Sequence, residues 1–387
     1  MTAVPGVRAA GVVSGVKPSG RSDLAAVVTD APAGAALMTT TNLVRASSCE
    51  LSRRHVDDGR AQAVVINSGN ANVCTPHGEE HTRLLATAAA DHLDVAHDDV
   101  LVMSTGVIGV PLPVERILAA LPALTADLSD DGGPRAAEAM LTTDSHSKQV
   151  AVEVVDDQGG RCTVGGIAKG VGMIEPAMAT LLVVLTTDAP LSGAVATRLL
   201  RGAVGATFNR ISIDGDGSTS DQVALLATGR APQPPSLEAV GRAIHAVCAD
   251  LAEQVVADGE GAERVAAITV GGAATEVEAE QLARAIATSL LVRAAIHGAD
   301  PNWGRILMAM GSAGVDFDPR RVSVTCAGFT VCRFGVAASF DRGQVAAAMD
   351  RPVVPIEVDV GSGDATVTML TCDLTPEYVR FNAEYTT

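Results

Sequence analysis

Hydrophobic and polar residues follow two different spacings along most of the chain. Short runs of β-branched and small apolar residues predict strands at residues 25–30, 62–67, 100–104 and 222–227. Longer segments with apolar residues at i, i+3 and i+4 predict helices at 79–93, 113–128, 192–208, 236–257 and 276–297. The last third of the chain has four closely spaced predicted strands, at 321–326, 329–334, 353–360 and 365–372. Helices and strands mixed in this order predict an α/β or α+β fold with a layered mixed sheet.

The composition restricts the kind of partner that the protein can have. Of the 387 residues, 47% are hydrophobic, yet there are only one Trp, two Tyr and six Phe, so Ala, Val, Leu and Ile must form the core. The chain has 28 Lys and Arg against 45 Asp and Glu, which gives a formal net charge of −17. Nucleic-acid binding needs clustered basic residues or stacking aromatic side chains. We therefore expect no nucleic-acid partner.

No segment is typical of export, of a membrane span or of a metal site. The first residues lack the continuous apolar stretch of a signal peptide, and no apolar run approaches the roughly 20 residues that a membrane helix needs. The seven cysteines are scattered and never spaced as CxxC, and the eight histidines include no HExxH. We expect a cytoplasmic protein with free thiols, no membrane partner and no bound metal.

A glycine-rich segment near the middle of the chain interrupts this alternation. Residues 165–188 read GGIAKGVGMIEPAMATLLVVLTTD and end in a strand-like run at 181–187. A phosphate-binding P-loop would need Ser or Thr after the lysine and then a helix, but Lys169 is followed by Gly170. The dinucleotide fingerprint fails as well, because Gly172 is not followed by a glycine three residues later. A nucleotide-dependent enzyme is therefore the weaker interpretation.

The Ala179-Thr180 step, at the start of the strand-like run, suits an N-terminal nucleophile. The Thr180 hydroxyl could attack the preceding carbonyl carbon, and hydrolysis of the resulting ester would leave Thr180 as a new chain start. Its α-amino group, with an ordinary pKa of about 7.7–8.0, could then act as the general base for its own hydroxyl. A β-branched residue in a strand is also an ordinary explanation for this threonine. The residues alone leave both explanations open.

Several blocks of the sequence together resemble one enzyme family. The segment from Lys169 to Thr180 resembles the self-cleavage motif of the ornithine acetyltransferase family, the ArgJ-type glutamate N-acetyltransferases of arginine biosynthesis. Further blocks similar to this family occur in the same order: NSGNAN at 67–72, STGVIG at 104–109, TTD at 142–144, DGDGSTSD at 214–221, DGEG at 258–261, HGADPNWGR at 297–305 and CDLT at 372–375. Eight blocks in the same order point to this family far more specifically than any single block does.

The resemblance implies roles for individual residues. Thr180 matches the nucleophile, exposed by cleavage of the Ala179–Thr180 bond, which takes an acetyl group from N2-acetyl-L-ornithine and passes it to L-glutamate. Thr105 and Gly106 match the pair that stabilises the oxyanion through a hydroxyl and a backbone N–H. The positions that match substrate-binding residues are Thr143 (or its neighbour Thr142), Lys169, Thr180, Glu260, Asn382 and Thr387. A lysine suits an α-carboxylate and a glutamate suits an ammonium group.

The resemblance also implies how the protein is assembled. Cleavage would give an α chain of residues 1–179 and a β chain of residues 180–387, interlocked in one DmpA/ArgJ-like layered mixed-sheet fold. Two copies of each chain would form an α2β2 heterotetramer. The substrates would be N-acetylornithine, glutamate and, in the bifunctional type, acetyl-CoA, and no cofactor is implied. The chain is long enough for two or three domains, but it would then form one fold whose chain is cleaved at a single bond.

Three alternatives stay open at this point. A fold-related, self-cleaving amidohydrolase or aminopeptidase would use water in place of glutamate as the acceptor, and Lys169, Glu260 and Asn382 argue against it because they match residues that bind an amino-acid acceptor. A paralogue in secondary metabolism would be compatible with Glu175 and with the Tyr385-Thr-Thr ending. A non-catalytic assembly protein would remain an uncleaved chain of 39.3 kDa.

Overall fold

A computed structural model describes residues 1–175 and 181–384 of the chain. The chain forms two compact units. Among the described residues, those of Met1–Asn209 and Asp216–Val255 make up the larger unit, whereas Arg210–Gly215 and residues 256–384 make up the smaller unit.

The described residues form fifteen strands and eleven α-helices. The strands are β1 (Val7–Val12), β2 (Leu24–Thr39), β3 (Arg60–Asn70), β4 (Val100–Val107), β5 (Lys148–Val155), β6 (Arg161–Lys169), β7 (Leu182–Thr187), β8 (Ile211–Ser212), β9 (Gln222–Ala227), β10 (Val265–Ala273), β11 (Ser323–Cys326), β12 (Phe329–Arg333), β13 (Val336–Ala337), β14 (Val353–Asp359) and β15 (Ala365–Cys372). The helices are α1 (Ser47–His55), α2 (Gly78–Leu93), α3 (Val114–Ala126), α4 (Gly133–Met140), α5 (Gly193–Ala206), α6 (Leu237–Ala257), α7 (Glu276–Ala287), α8 (Leu290–His297), α9 (Trp303–Gly311), α10 (Arg342–Met349) and α11 (Pro376–Glu384). None of the described helices has the length and the apolar character that crossing a membrane requires.

Eight of the described strands form the mixed sheet of the larger unit. Their order is β4-β3-β2-β9-β7-β6-β5, with β1 paired to β2 outside this path. β3 and β4 are parallel, as are β7 and β9, and the other neighbours are antiparallel. The predicted α/β class with a mixed sheet is confirmed. The strand that follows residue 180, β7, lies in the interior of this sheet between β6 and β9.

Both faces of this sheet are covered by helices. Along β2, Ala25 and Val27 point into a core shared with α4, whereas Leu24, Ala26 and Val28 point into a core shared with α2 and α3. The alternation follows from the two-residue period of a strand. A strand that is buried on both faces needs apolar residues at every position, which explains the uninterrupted apolar runs in the sequence.

The smaller unit contains a second mixed sheet, with the strand order β13-β12-β11-β14-β10-β15-β8. Ile268 and Val270 of β10 pack in a core with Ile286 of α7 and with residues of α8, α9 and α10. On the other face of the sheet, the hydroxyl of Thr269 forms a hydrogen bond of 2.8 Å with the hydroxyl of Thr368. The two faces therefore differ in polarity, and β10 alternates between apolar and polar residues as a half-covered strand does.

The prediction of a single helix over residues 276–297 is wrong. The structure has two helices there, α7 and α8, separated by Thr288 and Ser289. The Ser289 side chain accepts a hydrogen bond from the backbone N–H of Val292 and so caps the start of a new helix. The Thr288 hydroxyl donates to the Arg284 carbonyl at the end of the preceding helix. The apolar spacing continues across this break, which is why the periodicity predicted one helix.

The first two glycines of the glycine-rich segment lie inside a strand. Gly165 and Gly166 are residues of β6, and both are buried. A Cβ at Gly165 would lie only 2.9 Å from the Cα of Met1. These glycines therefore allow close packing of the backbone within the larger unit, and they do not form a phosphate-binding loop.

Candidate active site

Thr105 lies near the end of β4 and carries a buried hydroxyl without a partner. The residue is 1% exposed, and its Oγ1 forms no hydrogen bond with any described residue. A buried polar atom left without a partner costs roughly 1–3 kcal/mol. Such atoms are rare in proteins, and each needs a specific explanation. The hydroxyl expected to stabilise an oxyanion is thus available to accept or donate a further hydrogen bond.

Gly106 follows Thr105 and lies directly against β3. Its φ of +130° favours glycine, and a Cβ at this position would overlap the backbone of Gly69 and Asn70. The register of the parallel β3–β4 pair shifts at the same two residues. An irregularity of this kind changes the direction of the groups beside it. The backbone at Thr105 and Gly106 is therefore turned out of regular strand geometry, and glycine is required there.

The NSGNAN block at residues 67–72 supports this irregular backbone. The Asn67 carboxamide accepts a hydrogen bond of 2.6 Å from Ser104 Oγ and donates one of 2.8 Å to the carbonyl of Asn70. All three residues are buried. These hydrogen bonds replace the backbone hydrogen bonds that regular strand pairing forms elsewhere. The block that resembles the family thus holds the two strand ends together beside Thr105 and Gly106, the predicted oxyanion pair.

Lys169 is the last residue of β6 and is 2% exposed. Its Nζ lies 3.7 Å from Asp144 Oδ2. Asp144 also accepts a hydrogen bond of 2.9 Å from Lys148 Nζ, and both of these side chains are fully buried. The two ammonium groups therefore contact the same buried carboxylate.

The environment of Asp144 keeps its carboxyl group ionised. Burial alone would raise its pKa, but the ammonium groups of Lys169 and Lys148, together with the backbone N–H of Thr142, outweigh burial and hold the pKa of this carboxyl well below its usual range. The N–H groups of Thr142 and Gly170 donate to it at 3.0 and 2.8 Å. Asp144 is therefore an anion at neutral pH and orients both lysines.

A third lysine, Lys17, lies beside Gly69, the glycine that packs against Gly106. A Cβ at Gly69 would lie 2.9 Å from Lys17 Cγ. Burial lowers the pKa of Lys17 to about 8, an effect that the Asp23 carboxylate partly offsets and that the charge of Lys169 strengthens. Lys17 therefore lies close enough to Lys169 for the two charges to affect each other.

Asp221 precedes β9 and contacts Leu181, the residue that follows the predicted nucleophile. Its Oδ1 accepts a hydrogen bond of 2.8 Å from the backbone N–H of Leu181. The backbone N–H of Gln222 donates to the Leu181 carbonyl at 3.0 Å. Asp221 is fully buried, and its Oδ2 has no hydrogen-bond partner among the described residues. Burial raises the pKa of Asp221 well above its usual range, which favours the protonated form.

Thr142 and Thr143 are both half-buried, next to Asp144. The Thr142 hydroxyl lies 3.5 Å from Asp144 Oδ2, and its backbone N–H donates to the same oxygen. Thr142 is therefore turned toward the buried carboxylate. The choice of Thr143 over Thr142 as the substrate-binding residue stays a prediction.

In the smaller unit, Glu260 and Asn382 contact each other. Asn382 Nδ2 donates a hydrogen bond of 3.0 Å to Glu260 Oε2. The following residue, Gly261, has a φ of +69°, and a Cβ there would lie 2.6 Å from the backbone nitrogen of Tyr378 in α11. The close approach that this glycine allows brings α11, and with it Asn382, to Glu260. Two of the predicted substrate-binding residues thus meet although they are distant in sequence.

Ala179, Thr180 and Thr387 lie outside the described residues. Among the described residues on either side of the cleavage position, Lys169 of β6 pairs with Leu182 of β7. β6 therefore ends and β7 begins at the same end of the sheet.

Comparisons with known proteins identify the family. The model of the ArgJ family matches residues 8–387. The chain belongs to the ArgJ family. It is 43% identical over 401 residues to the arginine biosynthesis bifunctional protein ArgJ of Gloeobacter violaceus, covering 100% of this chain and 98% of the relative. It is 44% identical over 387 residues to the protein of the same name from Streptomyces coelicolor, covering 100% of this chain and 99% of the relative.

A solved structure of an ArgJ protein supports the fold. The chain is similar to the crystal structure of the arginine biosynthesis bifunctional protein argJ from Bacillus halodurans, with 35% identity and a TM-score of 0.50. The match covers 53% of this chain and 98% of that chain. The mixed-sheet fold predicted for this ArgJ family member is thus found in a solved relative.

The structure brings to this region of the ArgJ family member four titratable residues that are not among the predicted site residues. Asp144 and Asp221 end two of the blocks that resemble the family, so their positions carried a signal. Lys17 and Lys148 carried none, because a lysine in a polar stretch is usually solvated. Only tertiary packing shows that all four are buried or partly buried.

Two clusters among the described residues could hold a metal ion, because their ligand atoms lie within 4.8 Å of one another: His55, His97 and Asp98, and Glu263, His297 and Asp373. In the second cluster, His297 Nδ1 lies 3.0 Å from Asp373 Oδ2, and the backbone N–H of Glu263 donates to the same carboxylate. These contacts already have a role in tertiary structure. Neither cluster includes a residue of the candidate active site.

Proposed function

We propose that the chain is a self-processing N-acetyltransferase that moves the acetyl group of N2-acetyl-L-ornithine to L-glutamate in arginine biosynthesis. The reaction would pass through an acetyl ester on Thr180 and give L-ornithine and then N-acetylglutamate. The observation that carries the proposal is the buried, unpartnered hydroxyl of Thr105 beside Gly106, at the strand end where the family resemblance puts the oxyanion donors. Membership of the ArgJ family supports it.

Maturation would begin with an acyl shift at the Ala179–Thr180 bond. The Thr180 hydroxyl attacks the Ala179 carbonyl carbon, a C–O bond forms, the C–N bond breaks, and the hydroxyl proton passes to the departing nitrogen. Water then hydrolyses the ester, which leaves a carboxylate on Ala179 and a free α-amino group on Thr180. The Thr105 hydroxyl and the Gly106 N–H would stabilise the oxyanion of both steps.

The products would be an α chain of residues 1–179 and a β chain of residues 180–387. β9 and β7 of the β chain would then lie inside the larger unit's sheet, between β2 and β6 of the α chain. Strand pairing on both sides would hold the two chains together after cleavage. The coverage of the solved relative supports this division, because 53% of this chain accounts for 98% of that one.

Acetyl transfer would use the new α-amino group of Thr180 as the general base. It accepts the hydroxyl proton while Oγ bonds to the acetyl carbon, and it returns the proton to the nitrogen of ornithine as the amide C–N bond breaks. The amine of glutamate then attacks the ester, loses its proton and restores the hydroxyl. Each step forms an oxyanion, and the loss of one donor such as Thr105 typically costs about 2.7–4 kcal/mol of barrier.

The substrate-binding roles follow the family resemblance. Lys169 would bind the α-carboxylate that N-acetylornithine and glutamate share, which is supported by the position of this lysine at the end of β6, the strand that pairs with β7. Thr143 would add a hydrogen bond. Glu260 would bind an ammonium group, and its contact with Asn382 supports a shared role for these two residues. Thr387 would be the remaining substrate-binding residue.

Three further features belong to the proposal. Acetyl-CoA would serve as a second acetyl donor, which the word bifunctional in the names of the relatives supports. Two copies of each chain would assemble as an α2β2 heterotetramer. The location would be cytoplasmic, which is supported by seven cysteines that are all free, six of them buried. The reaction needs no cofactor, nucleic acid or membrane.

The main alternative is a self-cleaving hydrolase that transfers the acyl group to water. Incubating the processed protein with N-acetylornithine, with and without glutamate, separates the two functions. We expect ornithine release to rise with glutamate and to match N-acetylglutamate formation. Release of acetate at a rate independent of glutamate would favour the hydrolase. Failure to restore growth of an arginine auxotroph that lacks this transferase would favour a paralogue of secondary metabolism.

The experiment that tests the proposal is intact-mass measurement before and after addition of N-acetylornithine. We expect two fragments that meet between Ala179 and Thr180, and an acetyl adduct on the fragment that begins with Thr180. The Thr180→Ala variant should remain one chain of 39.3 kDa. Cleavage of that variant at the same bond would contradict the assignment of the nucleophile.

A further inference from the structure

Asp221 and Gln222 connect the strand after the cleavage position to the strand that carries the oxyanion pair. Asp221 Oδ1 accepts the hydrogen bond from the Leu181 N–H at 2.8 Å, and Gln222 Nε2 donates to the carbonyl of Val102 in β4 at 3.1 Å. Both residues are completely buried. The nitrogen of Leu181 is bonded covalently to the carbonyl carbon of Thr180. Asp221 therefore acts on the peptide group that Thr180 itself forms.

The hydrogen bond from Leu181 does not require a charged carboxylate. Asp221 Oδ2 has no hydrogen-bond partner among the described residues. The N–H of Leu181, the nearby hydroxyls of Thr40 and Ser218 and the charge of Lys169 offset only part of the effect of burial on the pKa of Asp221. A protonated carboxyl keeps one oxygen as an acceptor for the N–H and places the proton on the other. An amide side chain would present the same acceptor and no charge.

Asp188 makes the same kind of contact at the other end of β7. It follows Thr187, the last residue of the strand, and its Oδ1 accepts a hydrogen bond of 2.6 Å from the backbone N–H of Thr163. It is 5% exposed. The two aspartates thus both anchor β7 through a backbone N–H, but only Asp221 does so beside the nucleophile. Asp188 is the matched control for a purely structural role.

We propose that Asp221 is a positioning residue for Thr180. Its carboxyl group accepts the hydrogen bond from the Leu181 N–H, and Gln222 joins the start of β9 to β4. Together these contacts would fix the backbone next to the nucleophile in self-cleavage and in acetyl transfer. The inference rests on the proposed function, because it takes Thr180 as the nucleophile. Asp221 acts through Leu181 and supplies no proton to the reaction.

The test compares Asp221→Asn, Asp221→Ala and Asp221→Leu with Asp188→Ala in the full chain. The measurements are the rate of cleavage by intact mass, kcat and KM of the cleaved fraction with N-acetylornithine and glutamate, and the thermal unfolding midpoint. Asp221→Asn should cleave and turn over within a few-fold of the wild type. Asp221→Ala and Asp221→Leu should slow cleavage and lower kcat about 100-fold with little change in KM, as misplaced reacting groups do. Asp188→Ala should lower the unfolding midpoint and leave kcat within a few-fold of the wild type.

Each outcome decides the proposal. Wild-type rates in both Asp221→Ala and Asp221→Leu would overturn it, and so would an Asp221→Asn variant as slow as these two, since that would assign a proton-transfer role. A loss of kcat in Asp188→Ala as large as that in Asp221→Ala would indicate that Asp221 has only a structural role, which would also overturn the proposal. If one apolar variant does not fold, the other keeps the comparison, because leucine fills the volume that alanine leaves empty. A wild-type chain that is not cleaved at Ala179–Thr180 would instead contradict the proposed function.

Discussion

Gly106 and Gly69 lie so close together that a side chain on Gly106 would overlap the backbone of Gly69. Both have a positive φ, of +130° and +96°. The contact occurs where the β3–β4 register shifts, immediately after Thr105. Glycine is therefore needed at position 106 for the strand ends to approach, and the positive φ favours glycine at both positions where the regular pairing is interrupted.

The first prediction concerns Gly106→Ala. The added methyl group must push β4 away from Gly69, so the oxyanion donors move and acetyl transfer should fall by about 100-fold or more. Gly109→Ala is the matched control, because Gly109 also has a positive φ of +80° but has nothing within 4 Å of its Cβ position. Steady-state kinetics and thermal unfolding of both variants check this. Equal losses of kcat in the two variants would contradict a specific role for the Gly69–Gly106 contact.

A second prediction separates catalysis from stability at Thr105. Thr105→Val keeps the shape and removes a hydroxyl that has no partner among the described residues, so the unfolding midpoint should stay the same or rise. Loss of one oxyanion donor should lower kcat about 100- to 1000-fold. Ser104→Ala should differ by lowering the unfolding midpoint, because it deprives the buried Asn67 of a hydrogen bond of 2.6 Å. A Thr105→Val variant with normal kcat would remove Thr105 from the mechanism.

The third prediction concerns the buried pair of Asp144 and Lys148. Lys148→Met leaves the carboxylate with Lys169 at 3.7 Å as its remaining ammonium partner, and breaking a buried pair costs about 3–5 kcal/mol of folding free energy. The exposed pair of Arg161 and Glu153 offers the control, since Arg161→Met should cost less than about 1 kcal/mol. Urea unfolding at pH 7 measures both. A cost below 1 kcal/mol for Lys148→Met would contradict the prediction.

The same pair predicts an acid dependence of stability. Because the folded-state pKa of Asp144 is lowered, its contribution to stability is present above the unfolded pKa of about 3.9 and is lost as the pH falls through the folded value. Lys148→Met removes one of the charges that lower the pKa of Asp144. This variant should therefore lose less stability than the wild type on acidification below about pH 4. Unfolding curves at several acid pH values check the sign. A larger acid-induced loss in Lys148→Met than in the wild type would contradict this account.

Much of the secondary structure could be predicted because it depends on local spacing. The strand predicted at 222–227 matches β9, and the helices predicted at 79–93 and 236–257 match α2 and α6 within one residue at either end. The break between α7 and α8 could not be predicted from periodicity, since it depends on the capping hydroxyl of Ser289 within a continuous apolar pattern. The order of the strands also could not be predicted from local spacing, because pairings such as β2 with β9 join residues far apart in the chain.

The blocks that resemble the ArgJ family were enough to identify the family and to nominate Thr105, Gly106 and Lys169, since short motifs preserve the residue types that the chemistry needs. Which of the remaining charges matter depends on burial, and burial depends on the whole fold. Lys17 and Lys148 look like ordinary polar residues along the chain, yet packing removes them wholly or largely from water. A charge or carboxyl taken out of water must find a partner or change its protonation, and that requirement is set by neighbours that only the tertiary structure brings together.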